Sequence, residues 1–209
     1  MTTPKYFQHF PNLNYATKAN KAGPYAYIQV KDFFRYMEVR SDIFREDTIY
    51  EKYFVKNGQR PDQISYELYG DEQYYWTILQ VNEIYDYFNQ WPLSSFDLEN
   101  FTRKKYGGDA GAGKVRHYIT QRVKDNLDHV ILESGQIVPE DFIFTYVPDP
   151  SQPDVRLTSL PTSISNRQHE EDLNESKSSI FVVNKRYVYD YVREVKNYAK
   201  SLSESSSLI

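Results

Sequence analysis

The chain has 209 residues, with 25 basic and 29 acidic side chains and a formal net charge of −4. No basic stripe is visible, which disfavours nucleic acid as a partner, and the absence of Cys excludes disulfides and thiolate chemistry. The hydrophobic fraction is only 40%, yet 20 Tyr and 12 Phe are present, an excess that suits either a Tyr-rich core or contact surface beyond one monomeric core.

Residues 1–27 mix polar and aromatic side chains, with Pro4, Pro11, Gly23 and Pro24 as breakers, and read as an extended N-terminal arm. Tyr6, Phe7, Phe10, Tyr15, Tyr25 and Tyr27 imply that the arm docks, on this protein's own body or on a neighbour. The N-terminus lacks the apolar run of a signal peptide. No stretch approaches the roughly 20 apolar residues that span a bilayer. The expectation is a soluble chain without membrane insertion, made in a cytoplasm. Val30, Phe33, Phe34 and Met37 have i, i+3, i+4, i+7 spacing, which predicts an amphipathic helix over 27–40. Short β segments are expected over 41–56.

The stretch Tyr53 to Leu93 is the most strongly punctuated. Tyr53–Lys56 has β-rich composition and runs into the turn signal Asn57-Gly58. Arg60-Pro61-Asp62 opens a helix, because proline is tolerated in a first turn and Asp62 complements the positive end of the helix dipole. Ile64 and Leu68 share a face. Gly70 suits a left-handed C-cap. Asp71 suits the N-cap of a second helix over about 72–81, with Tyr75, Ile78 and Leu79 on its inner face and Asn82 at its end. The order describes a compact βααβ unit.

Ser94 or Ser95 caps a further helix with Leu98 and Phe101 as its apolar pair; Arg103-Lys104-Lys105 suit its C-terminus, and Tyr106-Gly107-Gly108 stops it. Residues 107–114 read as a flexible loop. From 115 to 147 the pattern turns β, with alternation at Val115, His117 and Ile119 and a hairpin-like break at Glu133-Ser134-Gly135. A further strand is expected over 142–147. Residues 148–161 carry four prolines and read as a linker or arm. Ser179–Val183 is a strand. Tyr187, Val188, Tyr191, Val192, Val195 and Tyr198 form one stripe of a terminal helix. The resulting fold class is α+β. Its parts are an arm at 1–27, the βααβ unit with flanking helices at 28–106, and a β-rich region with a terminal amphipathic helix at 107–209.

No constellation for catalysis stands out. Gly108 to Lys114 matches most of G-x-x-x-x-G-K, but Val115 stands where a magnesium-binding hydroxyl is needed, and a helix precedes the loop where a strand should. The four histidines are far apart, and the Glu170-Glu171-Asp172 run beside His169 reads as a solvated acidic stretch. No nucleophile elbow occurs. No catalytic, cofactor or metal residues are expected, and no cofactor.

Tyr53-Phe54-Val55-Lys56-Asn57-Gly58, Ile64 before Tyr69-Gly70, and Ile78-Leu79 before Asn82 resemble the LysM module. With the flanks Val30–Arg35, Arg60-Pro61 and Trp91-Pro92-Leu93, the set resembles the baseplate wedge protein family of contractile-tailed, T-even-type bacteriophages (the gene 53 product family). The resemblance covers about residues 28–120. It implies a non-enzymatic structural part that joins neighbouring wedges into a six-fold, hetero-oligomeric baseplate around the tail hub. Its partners would be other wedge and hub-proximal tail proteins. Its location would be the virion tail baseplate, assembled in the host cytoplasm. The alternative is a LysM-type module binding peptidoglycan or chitin oligomers, with a cell-wall hydrolase accessory ranked third. The segment Tyr85–Pro92 departs from glycan-binding LysM modules in having many aromatics and no Gly. The candidate partner contacts are Arg60, Trp76, Tyr85, Tyr87, Phe88 and Trp91. Arg60 has Asp62 as a competing partner, Trp76 suits core or interface, and Trp91 stands out because it lies in a Pro-containing segment.

Overall fold

The computed structural model describes residues 6, 10–17, 26–32 and 49–206. In chain order the elements are β1 (Asn12–Thr17), β2 (Ala26–Lys31), β3 (Tyr50–Phe54), α1 (Pro61–Tyr69), a 3-10 turn (Glu72–Tyr74), α2 (Tyr75–Val81), α3 (Tyr87–Gln90), α4 (Ser95–Tyr106) and α5 (Asp109–Ala112). They continue with β4 (Val115–Ile119), β5 (Val123–Lys124), β6 (Val130–Leu132), β7 (Ile137–Val138), β8 (Phe144–Tyr146), β9 (Leu157–Ser159), β10 (Thr162–Ser165), α6 (Asn166–Ser178), β11 (Ser179–Val183) and α7 (Val188–Ser206). The chain is α+β, as expected. It forms two units, one of residues 1–92 with 177–209 and one of residues 93–176. These boundaries differ from 27/28 and 106/107, because the C-terminal elements return to the βααβ unit.

In the first unit, β3 pairs antiparallel with β11, so the strand that closes the βααβ arrangement is Ser179–Val183 and not the segment after Asn82. Local signals set the two helices. Pro61 occupies the first turn of α1, the Arg60 amide donates to Gln63 Oε1 at 3.0 Å, and Gly70 ends the helix at φ 79°, where a Cβ would be strained. Asp71 accepts from the Gln73 amide at 2.9 Å and opens the 3-10 turn that leads into α2. The inner face of α2 is Trp76, Thr77, Ile78 and Gln80. Tyr75 is exposed, because the 3-10 turn starts the helical phase later than a single helix from Glu72 would.

Two apolar clusters hold the unit. Ile64, Ile78, Trp91, Ile180 and Val182 form one; Tyr69, Tyr74, Trp76, Val183, Val188, Tyr191 and Val192 form the other, with Leu68 packed against both. Each such side chain contributes about 1.5–3 kcal/mol by leaving water. Tyr69 also donates to the Val183 carbonyl at 2.8 Å, which joins α1 to the end of β11. On the predicted stripe of α7, Val188, Tyr191 and Val192 are buried, whereas Tyr187 and Tyr198 are exposed; Ala199 is buried against Phe10. Tyr6 lies against Phe10 and Trp76, so this part of the arm docks on the protein's own body.

The helix expected over 27–40 is overturned at its start. Ala26–Lys31 is a strand paired antiparallel with Asn12–Thr17. Of the residues at helical spacing, Val30 lies in this strand opposite Leu13, and this cross-strand pairing overrides the helical pattern there. The rest of that helix and the β segments over 41–48 lie outside the described residues.

In the second unit, β4 is flanked by β10 and β7, β5 pairs with β6, and β8 pairs with β9. The break at Glu133-Ser134-Gly135 therefore separates β6 and β7, which pair with different strands and form no hairpin together. The proline-rich stretch 148–161 is the connection and second strand of the β8–β9 hairpin, not a linker. The loop 107–114 is ordered. It contains α5, and Asn166 binds it through the Gly111 and Lys114 carbonyls at 2.9 Å each.

Candidate functional site

Five of the six candidate contacts converge on one side of the βααβ unit, around the segment that follows Asn82. Gln90 Oε1 accepts from the Tyr85 and Asp86 amides at 2.7 and 2.8 Å, and Asp86 caps α3 by accepting from the Phe88 amide at 3.1 Å. Lys177 Nζ donates to the Asn89 carbonyl at 2.8 Å and ties the segment to the start of the returning chain. Tyr87 and Trp91 stack with ring centroids 5.9 Å apart, and the Trp91 indole donates to the Gln59 carbonyl at 2.9 Å. A single anchored turn therefore holds Tyr85 and Phe88 outward. Phe88 is 83% exposed.

Arg60 lies at the start of α1, and its guanidinium pairs with Asp62, with Nε to Oδ1 at 3.0 Å and a second contact from its terminal nitrogen. That hydrogen bond holds the Asp62 carboxyl below its usual range. Burial pushes the Tyr87 hydroxyl upward, against the opposing charge of Arg60. The cation thus sits beside the ring stack and is exposed. An exposed guanidinium near a half-buried tyrosine ring is a common composition at protein–protein contacts.

The two tryptophans are not part of the accessible surface. Trp91 is 4% exposed and Trp76 is 6% exposed. Trp76 lies in the other cluster, against Tyr191, away from the Arg60–Phe88 group. Both indoles are therefore committed to the core.

The second unit holds a charged network whose members are far apart in sequence. Glu99 meets Arg103 at 2.9 Å and also Arg167; Asp109 meets Arg103 at 2.9 Å and Arg167 at 3.0 Å. Glu170 is only 5% exposed, which overturns its assignment to a solvated acidic run. Its Oε1 accepts from Lys105 Nζ and from the Tyr106 hydroxyl, both at 2.7 Å. Burial raises the Glu170 pKa, but these two donors and the Lys105 charge outweigh it and the net shift is downward. His169 stands edge-on to His117, with ring centroids 5.7 Å apart, and its pKa is lowered by burial and then by Arg116. Among the described residues, no group of three His, Cys, Asp or Glu side chains is placed to hold a metal ion. Asn174 binds Leu93 in both directions, accepting from its amide at 2.7 Å and donating to its carbonyl at 3.0 Å. The partners of Glu170 and Asn174 lie more than sixty residues away, so no local pattern marked these contacts.

The family model described as base plate wedge protein 53 matches residues 5–196, which takes in both units. The chain is also 31% identical, over 115 residues, to baseplate wedge protein gp53 of Enterobacteria phage T4. That stretch is 53% of this chain and 56% of the T4 protein, so the chain spans about half the length of the curated relative it matches.

Proposed function

The chain belongs to the base plate wedge protein 53 family, and on that premise we propose that it is a structural part of a phage tail baseplate wedge that joins neighbouring wedge subunits during assembly. The observation that carries this reading is the family match over residues 5–196. The anchored turn with Tyr85 and Phe88 outward supports it. This is a preformed, aromatic surface that costs little entropy to dock. Its partners are other wedge and hub-proximal tail proteins in a six-fold, hetero-oligomeric assembly. The role is mechanical and not enzymatic, in the virion, and it begins in the host cytoplasm.

The test is assembly in infected cells. Tail particles are expected to contain the chain, and phage lacking it are expected to accumulate wedges that do not close into baseplates. Baseplates that close normally without it would overturn the reading.

A further inference from the structure

The β3–β11 sheet of the first unit has one guarded edge and one open edge. On β11, Phe181 gives its amide to Asn82 Oδ1 at 2.8 Å, and its carbonyl accepts from Asn82 Nδ2 at 2.7 Å. Both backbone groups of Phe181 therefore point away from β3. Its cross-strand neighbour is Lys52, so that pair is of the non-hydrogen-bonded kind. The bonds at the two ends of the ladder fit the same alternation: Val55 N to Ser178 O at 2.9 Å and Asn184 N to Ile49 O at 2.8 Å. The amides and carbonyls of Lys52 and Phe54 consequently face outward on the free side of β3. No other described residue bonds them.

The side chains beside this edge are equally specific. Lys52 and Phe54 share a face, with Phe181 across from Lys52. Phe54 is 66% exposed and Phe181 is also exposed. Lys52 is exposed and forms no ion pair among the described residues. Alternating backbone donors and acceptors are satisfied by an extended strand, and a helix laid on the same surface would leave them unpaired.

Resting on the wedge reading, we infer that the open edge of β3 takes an extended strand from a neighbouring wedge protein. That strand carries a carboxylate beside Lys52 and, two residues away, an apolar side chain against Phe54. Residues two apart fall on one face of a strand, which fixes that spacing.

The test uses the full chain in phage tails. The Lys52 amide points outward, so Lys52→Pro removes an edge donor without removing a bond to β11. K52P is expected to keep the wild-type circular dichroism spectrum and to enter purified baseplates at least tenfold less than wild type. Lys52→Glu, which repels the carboxylate, is expected to lower incorporation several-fold. In the wild-type protein, the amides of Lys52 and Phe54 are expected to exchange at least tenfold more slowly in baseplates than in the free chain. This last measurement decides the matter even if K52P does not fold. Wild-type incorporation of K52P overturns strand addition, as does unchanged exchange at both amides. A dimer of the purified chain that K52P abolishes would give the edge to a second copy and would also overturn it. If wild-type protein is itself missing from baseplates, the wedge reading fails instead.

Discussion

The carboxamide of Asn82 and the peptide group of Phe181 bond to each other in both directions, at 2.7 and 2.8 Å, across 99 positions of sequence. Asn82 ends α2 and acts on β11 as a short piece of neighbouring strand would. It also donates to the Ile78 carbonyl at 2.7 Å, so one side chain fixes both helix end and strand. Removing it leaves strand and helix groups unsatisfied at once. Asn82→Ala is expected to cost about 1–1.5 kcal/mol, because Asn82 is half-buried and Phe181 exposed, so water replaces part of what is lost. Asn82→Asp, which keeps one acceptor and loses the donor, should fall between. Urea denaturation of the three proteins checks the order.

Trp91 and Phe88 are three residues apart and have opposite roles. Trp91→Ala removes a buried ring from the Ile64–Val182 cluster and its bond to Gln59, for about 3–5 kcal/mol. Phe88→Ala is expected to stay within about 0.5 kcal/mol of wild type in stability, as surface changes usually do. In the wedge reading F88A should instead reduce incorporation into baseplates. Melting temperature and incorporation, measured on both variants, separate the two effects. Equal destabilisation by both would show that Phe88 is a core residue.

Gly111, inside α5, makes the tightest backbone approach among the glycines of residues 107–113. A Cβ on Gly111 would lie 1.8 Å from the Tyr106 carbonyl oxygen, whereas one on Gly113 would meet nothing closer than 3.4 Å. Gly111→Ala must displace backbone, and is expected to cost about 2–4 kcal/mol. Gly113→Ala should be within about 1 kcal/mol of wild type, since helical backbone tolerates Ala. Hydrogen exchange across residues 93–176 would show whether G111A loosens this unit.

Acid should weaken the second unit in two steps. His169 has a folded pKa below its ordinary 6.5, chiefly through burial, so the unfolded chain takes up the proton first. Stability therefore falls as pH drops below about 6.5, and this contribution levels off once the folded imidazole is protonated too. Glu170 also has a folded pKa below its ordinary 4.5; burial opposes the shift, and Lys105 and Tyr106 outweigh it. Its stabilisation is complete above 4.5 and is lost as pH falls through the folded value. Urea midpoints from pH 8 to pH 3 are expected to show both steps. His169→Asn should remove the first and Glu170→Gln the second.

The helices of the βααβ unit were legible because their instructions are local. Pro61, Asp62, Gly70, Asp71 and Asn82 act within a turn or two of where they stand. The closing strand was not legible as such. Ser179–Val183 was readable as a strand, but its pairing with Tyr50–Phe54 depends on tertiary contact. The burial of Glu170 likewise depends on Lys105 and Tyr106 arriving from another helix. The Arg60–Asp62 pair was readable because the two residues adjoin. Of the candidate contacts, the sequence marked the right segment but could not sort its side chains. Tyr87 and Trp91 turn inward as a stack, and that inward packing holds Phe88 and Tyr85 out.

The pairing of β3 with β11 also sets an order on synthesis. β3 leaves the ribosome well before its partner strand, with the whole of residues 93–176 translated in between. At roughly 5–20 residues per second, β3 waits on the order of ten seconds for Ser179–Val183. The inserted unit is complete first, and the unit that surrounds it in sequence closes last. A chain released before Val183 would leave Ile64, Ile78 and Trp91 without the strand that covers them, so premature termination there yields exposed apolar surface and not a smaller stable protein.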